Sequence, residues 1–111
     1  LNIFQVIRPS TFLKINFGKK FPLDNEILFG EKVRVIDENK SYYFCETLLD
    51  KYKGWISKKD LSLNVREPTH RILNIRTHVF KDPNEKSFIY FYLPLGSKIS
   101  VVDYDLKWAK I

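Results

Sequence analysis

"LFGEKVRVID", Leu28 to Asp37, and "PLGSKISVVD", Pro94 to Asp103, are two readings of one construction. In each, an apolar approach ends in a glycine and the apolar positions that follow alternate, Val33 and Val35 in the first, Ile99 and Val101 in the second. Glycine alone enters the positive-φ region at little cost, so Gly30 and Gly96 suit the end of an approach turn. A period of two sends one face of the following strand into a core. The copies stand 66 positions apart, as from Gly30 to Gly96, and the same offset sets Thr11 against Thr77 and Tyr42 against Trp108.

Two units in 111 residues are small but feasible, because β-rich domains of roughly 55–65 residues fold alone. Apolar residues at 44% and aromatics at 15% supply the side chains such cores need, and exclude a disordered segment. Helical periodicity is almost missing, whereas short apolar or alternating runs bounded by turn residues recur. The predicted strands are Ile3 to Ile7, Thr11 to Ile15, Lys32 to Asp37, Tyr42 to Leu48, Gly54 to Ser57, Ile72 to Val79, Lys98 to Val102 and Trp108 to Ile111. Pro9, Pro22, Pro68, Pro83 and Pro94 fall between these runs or at their ends, where a missing backbone donor harms no ladder.

The stretch "SLNVREPT", Ser62 to Thr69, loses aromatic density and carries a proline, which marks a junction. The expected organisation is therefore a first unit over 1–63, a junction over 64–69 and a second unit over 70–111. The first copy continues through "KYKGWISKKDL", in which Gly54 turns the chain, Trp55 and Ile56 re-enter the barrel, and a 3₁₀-like turn follows. The second copy has no counterpart of that stretch, so its closing strand is expected to be missing. The chain opens on Leu1 and contains no methionine, so an internal fragment is expected. The fold class is all-β, two small SH3-like barrels in tandem with the second truncated.

An apolar-Gly-x-x-Val-x-Val strand, an aromatic strand, Gly-Trp-apolar and a short turn ending in leucine together resemble bacterial SH3 domains. More closely, the chain resembles the tandem SH3 region of NlpC/P60 cysteine peptidases of alphaproteobacteria. The matching features are Leu28-Phe29-Gly30-Glu31, Gly54-Trp55, Pro68-Thr69-His70-Arg71, Arg76-Thr77 and Leu93-Pro94-Leu95-Gly96. Tyr42 stands where the aromatic strand of such proteins usually begins with Trp, and the opening to about Leu13 matches poorly.

The resemblance implies a non-catalytic region preceding a papain-like domain that supplies Cys and His, in a peptidase cleaving peptidoglycan or muropeptides beside γ-linked D-glutamate. The implied partners are that C-terminal domain and the muropeptide. The bacterial cytoplasm and the periplasm both fit.

Candidate residues follow from side-chain chemistry. Asp24 and Glu26, in an expected loop before Leu28, could hold the amino group of a peptide. Tyr42, Tyr52 and Trp55 could stack on it, in company with Phe44 and with Tyr90, Tyr92, Tyr104 and Trp108 of the second unit; some of these rings are expected to fill the cores. Cys45 lies in "YYFCE", where alternation groups it with Tyr43, and reads as structural rather than nucleophilic. His70 and His78 have no third ligand at metal spacing, so no metal, cofactor or catalytic residue is expected.

The formal charge of +6 favours an anionic partner, but Lys19-Lys20, Lys51 to Lys53 and Lys58-Lys59 are scattered, which argues against nucleic acid. No apolar run reaches the roughly 18 residues of a membrane span. Two other readings stay open: a proline-rich-peptide SH3 module, whose interleaved acidic tyrosine loop is missing here, and a basic nucleic-acid-binding barrel.

Overall fold

The computed structural model describes residues 2–15, 25–73 and 76–111. Among the described residues the chain is strand and loop, with one 3₁₀ turn at Lys58–Asp60, as the all-β reading expects.

The first half is built on a curled five-stranded antiparallel sheet. Its strands are β1 (Asn2–Val6), β4 (Lys32–Glu38), β5 (Tyr42–Thr47), β6 (Lys53–Ser57) and β7 (Leu61–Ser62), in the order β6-β5-β4-β1-β7. A hairpin of β2 (Ser10–Leu13) and β3 (Asn25–Leu28) folds across it. An irregularity between Val35 and Asp37 in the β4–β5 ladder adds local twist of the kind that curls a sheet.

Alternation then does what the sequence pattern requires. Phe4, Val6, Leu13, Ile27, Val33, Cys45, Ile56 and Leu61 form one buried cluster, with Val35 and Tyr43 packed on it. The end of β2 closes the barrel against β6 through Lys14, whose N–H donates to Trp55 O (2.9 Å) and whose carbonyl accepts from Trp55 N (2.8 Å). Gly54 therefore does not turn the chain: it lies inside β6, and a Cβ there would come within 2.8 Å of Lys14 O. Close passage of two backbones is what its missing side chain permits.

The second half carries β8 (His70–Arg71), β9 (Arg76–Phe80), β10 (Ile89–Pro94), β11 (Lys98–Ile99), β12 (Asp103–Tyr104) and β13 (Ala109–Lys110). Its register repeats that of the first half at the offset of 66. Phe4 pairs Val33 as His70 pairs Ile99, and Thr11 pairs Ile27 as Thr77 pairs Leu93. Asp37 pairs Phe44 as Asp103 pairs Lys110.

The turns repeat as well. Gly30 (φ 88°) donates to Val6 O, and Gly96 (φ 91°) donates to Ile72 O. Asn39 Oδ1 accepts from Ser41 N and Tyr42 N, and Asp105 Oδ1 accepts from Lys107 N and Trp108 N. Gly30 and Gly96 thus occupy like places, as the two-copy reading demands.

The halves interlock at the first glycine turn. Lys98 N–H donates to Phe29 O (2.8 Å), and the rings of Phe29 and Phe91 lie 6.0 Å apart. Buried Gln5 ties the junction down: its amide donates to Gly30 O and Arg66 O and accepts from Arg66 N. Lys32 pairs with Glu67 across the same seam.

Several expectations need correction. Glu26 lies in β3, not in a loop, and Ile89–Pro94 is a strand absent from the sequence-based expectations. In β10 every residue from Ile89 to Leu93 is apolar or aromatic and the register shifts between Ile89 and Phe91, so no alternation marks it. Of the expected strand from Ile72 to Val79, Arg76 to Val79 lie in β9, Ile72 and Leu73 lie in no strand, and Asn74 and Ile75 lie outside the described residues. Lys98 to Val102 likewise shortens to Lys98–Ile99.

Candidate functional site

Strand alternation sets the outer surface of the first half. Because Thr11 and Leu13 point inward, Phe12 points outward, and because Tyr43 and Cys45 face the core, Tyr42 and Phe44 face away from it. Phe12 and Tyr42 come together on the walls of a groove of about 280 Å³. Lys14, Lys59 and Asp60 add charges of both signs, and Ser10, Thr11 and Ser57 add hydroxyls.

Asp60 is the best-anchored charge of the groove. The Thr11 hydroxyl donates to its Oδ2 at 2.7 Å, and Arg8 Nε lies 3.5 Å from its Oδ1. The 3₁₀ turn Lys58–Asp60 places it there, and Asp60 O also accepts from Ile7 N. A preset carboxylate, two ammonium groups and two rings can orient a short peptide carrying both charges. Proton transfer and nucleophilic attack need other groups.

The sequence-derived site residues scatter around this groove. Tyr42 lines it. Glu26 sits on β3 directly opposite Phe12, exposed, and so borders the same wall. Trp55 is half-buried with its ring 5.1 Å from that of Phe44, and is joined to the groove through the Lys14 bridge. Tyr52 does not belong: it is 54% exposed in the β5–β6 connection, where its N–H donates to buried Thr47 Oγ1. Tyr42 pairs Ser57 at the other end of that hairpin. Asp24 lies outside the described residues.

Sequence reading missed Asp60, Thr11, Lys14, Lys59 and Phe12. Phe12 was recoverable from the alternation of β2, but nothing local to "SKKDL" announces that its aspartate meets a threonine 49 positions earlier.

Cys45 has no exposure, and burial pushes its thiol up to about 12, so it stays protonated near neutrality. His70 exchanges a hydrogen bond with Thr69 Oγ1, and the ring of His78 lies between those of Phe80 and Tyr92. The eight rings expected to divide between core and ligand also resolve differently. None is buried: Tyr42, Phe44, Trp55 and Trp108 are half-buried, and Tyr52, Tyr90, Tyr92 and Tyr104 are exposed. Among the described residues the buried aromatic ring is that of Phe4, with Tyr43 tilted on it at 4.8 Å.

At the matching place in the second half, the positions of Glu26, Phe12, Lys14 and Tyr42 are taken by Tyr92, His78, Phe80 and Trp108. These form a run of ring contacts: Tyr92 to His78 at 4.7 Å, His78 to Phe80 at 5.8 Å, Phe80 to Trp108 at 5.5 Å. The charged groove of one half is an aromatic face in the other.

Residues 20–61 match the family model described as the bacterial dipeptidyl-peptidase SH3 domain. That stretch holds β3 to β6, the 3₁₀ turn and the first residue of β7, and with them Tyr42, Lys59 and Asp60. No curated protein matches the chain. No helix among the described residues is long and apolar enough to cross a membrane.

Proposed function

We propose that this chain is the tandem SH3 region of an NlpC/P60-type peptidase that cleaves muropeptides beside γ-linked D-glutamate. In this reading its first half gates the substrate for a papain-like domain that follows it. The observation that carries the reading is the groove itself. The family match to a peptidase SH3 domain covers the segment that delivers Tyr42, Lys59 and Asp60 to one place.

The division of labour follows from charge and shape. Asp60, held by Thr11, offers a carboxylate to the free amino end of a short peptide. Lys14 and Lys59 offer ammonium groups to its carboxylates, and Phe12 and Tyr42 cover its backbone. Glu26, beside Phe12, adds negative charge at the same wall. A long glycan-linked peptide lacking a free amine would forgo the contact with Asp60, which gives selectivity for short released peptides.

The test is an amide chemical-shift titration of the chain with L-Ala-γ-D-Glu-diaminopimelate. Saturable shifts are expected at Thr11, Phe12, Tyr42 and Asp60, weakened at least tenfold by Tyr42→Ala. Hydrolysis of that peptide is expected from the full-length parent and not from the 111-residue chain. A titration that leaves the groove amides unmoved, or a parent without this hydrolysis, would refute the assignment.

A further inference from the structure

A second cavity, about 290 Å³, opens at the seam between the halves, away from the groove just described. Glu31, Leu48 and Leu49 reach it from the first half, Pro68 from the junction and Lys98 from the second. Its volume lies just below the roughly 300–1,000 Å³ range of drug-sized ligand sites, so it suits a ligand about the size of one amino acid.

Three features give the cavity a chemistry. Glu31 is a carboxylate half withdrawn from water, and burial raises its proton affinity above the ordinary carboxylate value. The Leu28 N–H faces its Oε1 at 3.4 Å, a long contact that leaves acceptor capacity unused. Lys98 is close enough to act electrostatically on Glu31, yet among the described residues no ion pair joins the two. The neighbouring Lys32 is held by Glu67. Leu49, 71% exposed, stands with Leu48 and Pro68 as an apolar wall beside this separated pair of charges.

We infer that this seam binds a free aliphatic α-amino acid, its ammonium on Glu31, its carboxylate on Lys98 and its side chain against Leu48, Leu49 and Pro68. A zwitterion is the ligand that satisfies both charges at once. An ammonium alone would leave Lys98 unserved, and a carboxylate alone would leave Glu31 so. Binding would also brace the halves, because Glu31 belongs to the first and Lys98 to the second, where Lys98 N already donates to Phe29 O. The site shares no residue with the peptide groove and stands or falls independently of the peptidase reading.

The experiment is an amide-shift titration of the whole chain with L-leucine, with L-leucine methyl ester and 4-methylpentanoate as single-charge controls. L-Leucine is expected to give saturable shifts at Gly30, Glu31, Leu49 and Lys98, and each control to bind at least tenfold more weakly. Glu31→Gln and Lys98→Gln, both conservative in size, are expected to weaken L-leucine at least tenfold while leaving the amide spectrum otherwise folded. Equal response to all three compounds, shifts confined to Thr11 and Tyr42, or unaltered binding by both variants would overturn the inference. If Glu31→Gln unfolds the chain, Leu49→Ser supplies the decision: retained affinity counts against the site, and a loss of several-fold supports it.

Discussion

Val33 and Ile99 hold the same place in the two halves, yet Val33 has no exposure and Ile99 is half-buried. Phe4 is 6% exposed while His70, at its offset, is exposed, and buried Leu13 corresponds to half-buried Val79. The backbone register is nevertheless the same in both. Register is set locally by glycine turns, capped loops and alternation, whereas burial is collective and needs every wall. The first half has β6 and β7 flanking its sheet and β6 stitched to β2. Among the described residues the second half has no strands in those positions.

This contrast can be broken most sharply by truncation to alanine at matched core positions. Leu13→Ala should cost about 3 kcal/mol in urea denaturation, in the range for a sealed leucine, and Val79→Ala about 1 kcal/mol or less. Equal losses would mean that the second half is sealed in solution. The matched glycines sharpen it further. Ala at either must accept a positive φ, a cost of about 1–2 kcal/mol. At Gly30 the new Cβ would also stand 1.9 Å from the Lys98 carbonyl, whereas at Gly96 its nearest neighbour is the movable Leu28 Cδ1 at 3.2 Å. Gly30→Ala should therefore be the worse by about 2 kcal/mol, and should shift the amide of Lys98 while Gly96→Ala does not.

A smaller effect separates the two matched loops. Asn39 and Asp105 make the same pair of backbone bonds, but only Asp105 titrates. The Lys107 and Trp108 N–H groups that it accepts hold its carboxyl below the ordinary value. A depressed carboxylate contributes order above its unfolded pKa and loses it as pH falls through the folded one. The protection of the Lys107 and Trp108 amides, with each exchange rate taken relative to its intrinsic rate at that pH, should fall on acidification through that window; that of Ser41 and Tyr42 should not follow, and Asp105→Asn should abolish the difference.

Glu31 has the opposite sign. Its raised pKa means that the folded chain holds the proton more tightly, so its burial costs stability once pH rises above the unfolded carboxylate value. Glu31→Gln should slightly raise the urea midpoint at neutral pH and leave it unchanged at pH below the carboxylate range.

Much of the fold was legible because it is written twice. The offset from Gly30 to Gly96, seen first as a likeness of two ten-residue strings, recurs in strand pairing, glycine φ values and loop bonds. What stayed hidden obeys no local rule. The strand Ile89–Pro94 lacks alternation, and Gly54 matters through the backbone of Lys14, 40 positions away. The candidate site divides in the same manner. Tyr42 is legible as an aromatic at an outward-facing position of an alternating strand, but Asp60 becomes part of a groove only when the 3₁₀ turn meets Thr11. Residue type is all that recommends Tyr52 in the sequence, and the β5–β6 connection carries it away from the groove.

Cross-strand backbone NOEs in solution test the duplicated register most directly. Contacts are expected between His70 and Ile99, Thr77 and Leu93, and Asp103 and Lys110, matching those between Phe4 and Val33, Thr11 and Ile27, and Asp37 and Phe44. A second half whose pairs are displaced by one residue, which would turn Leu93 outward, would contradict it.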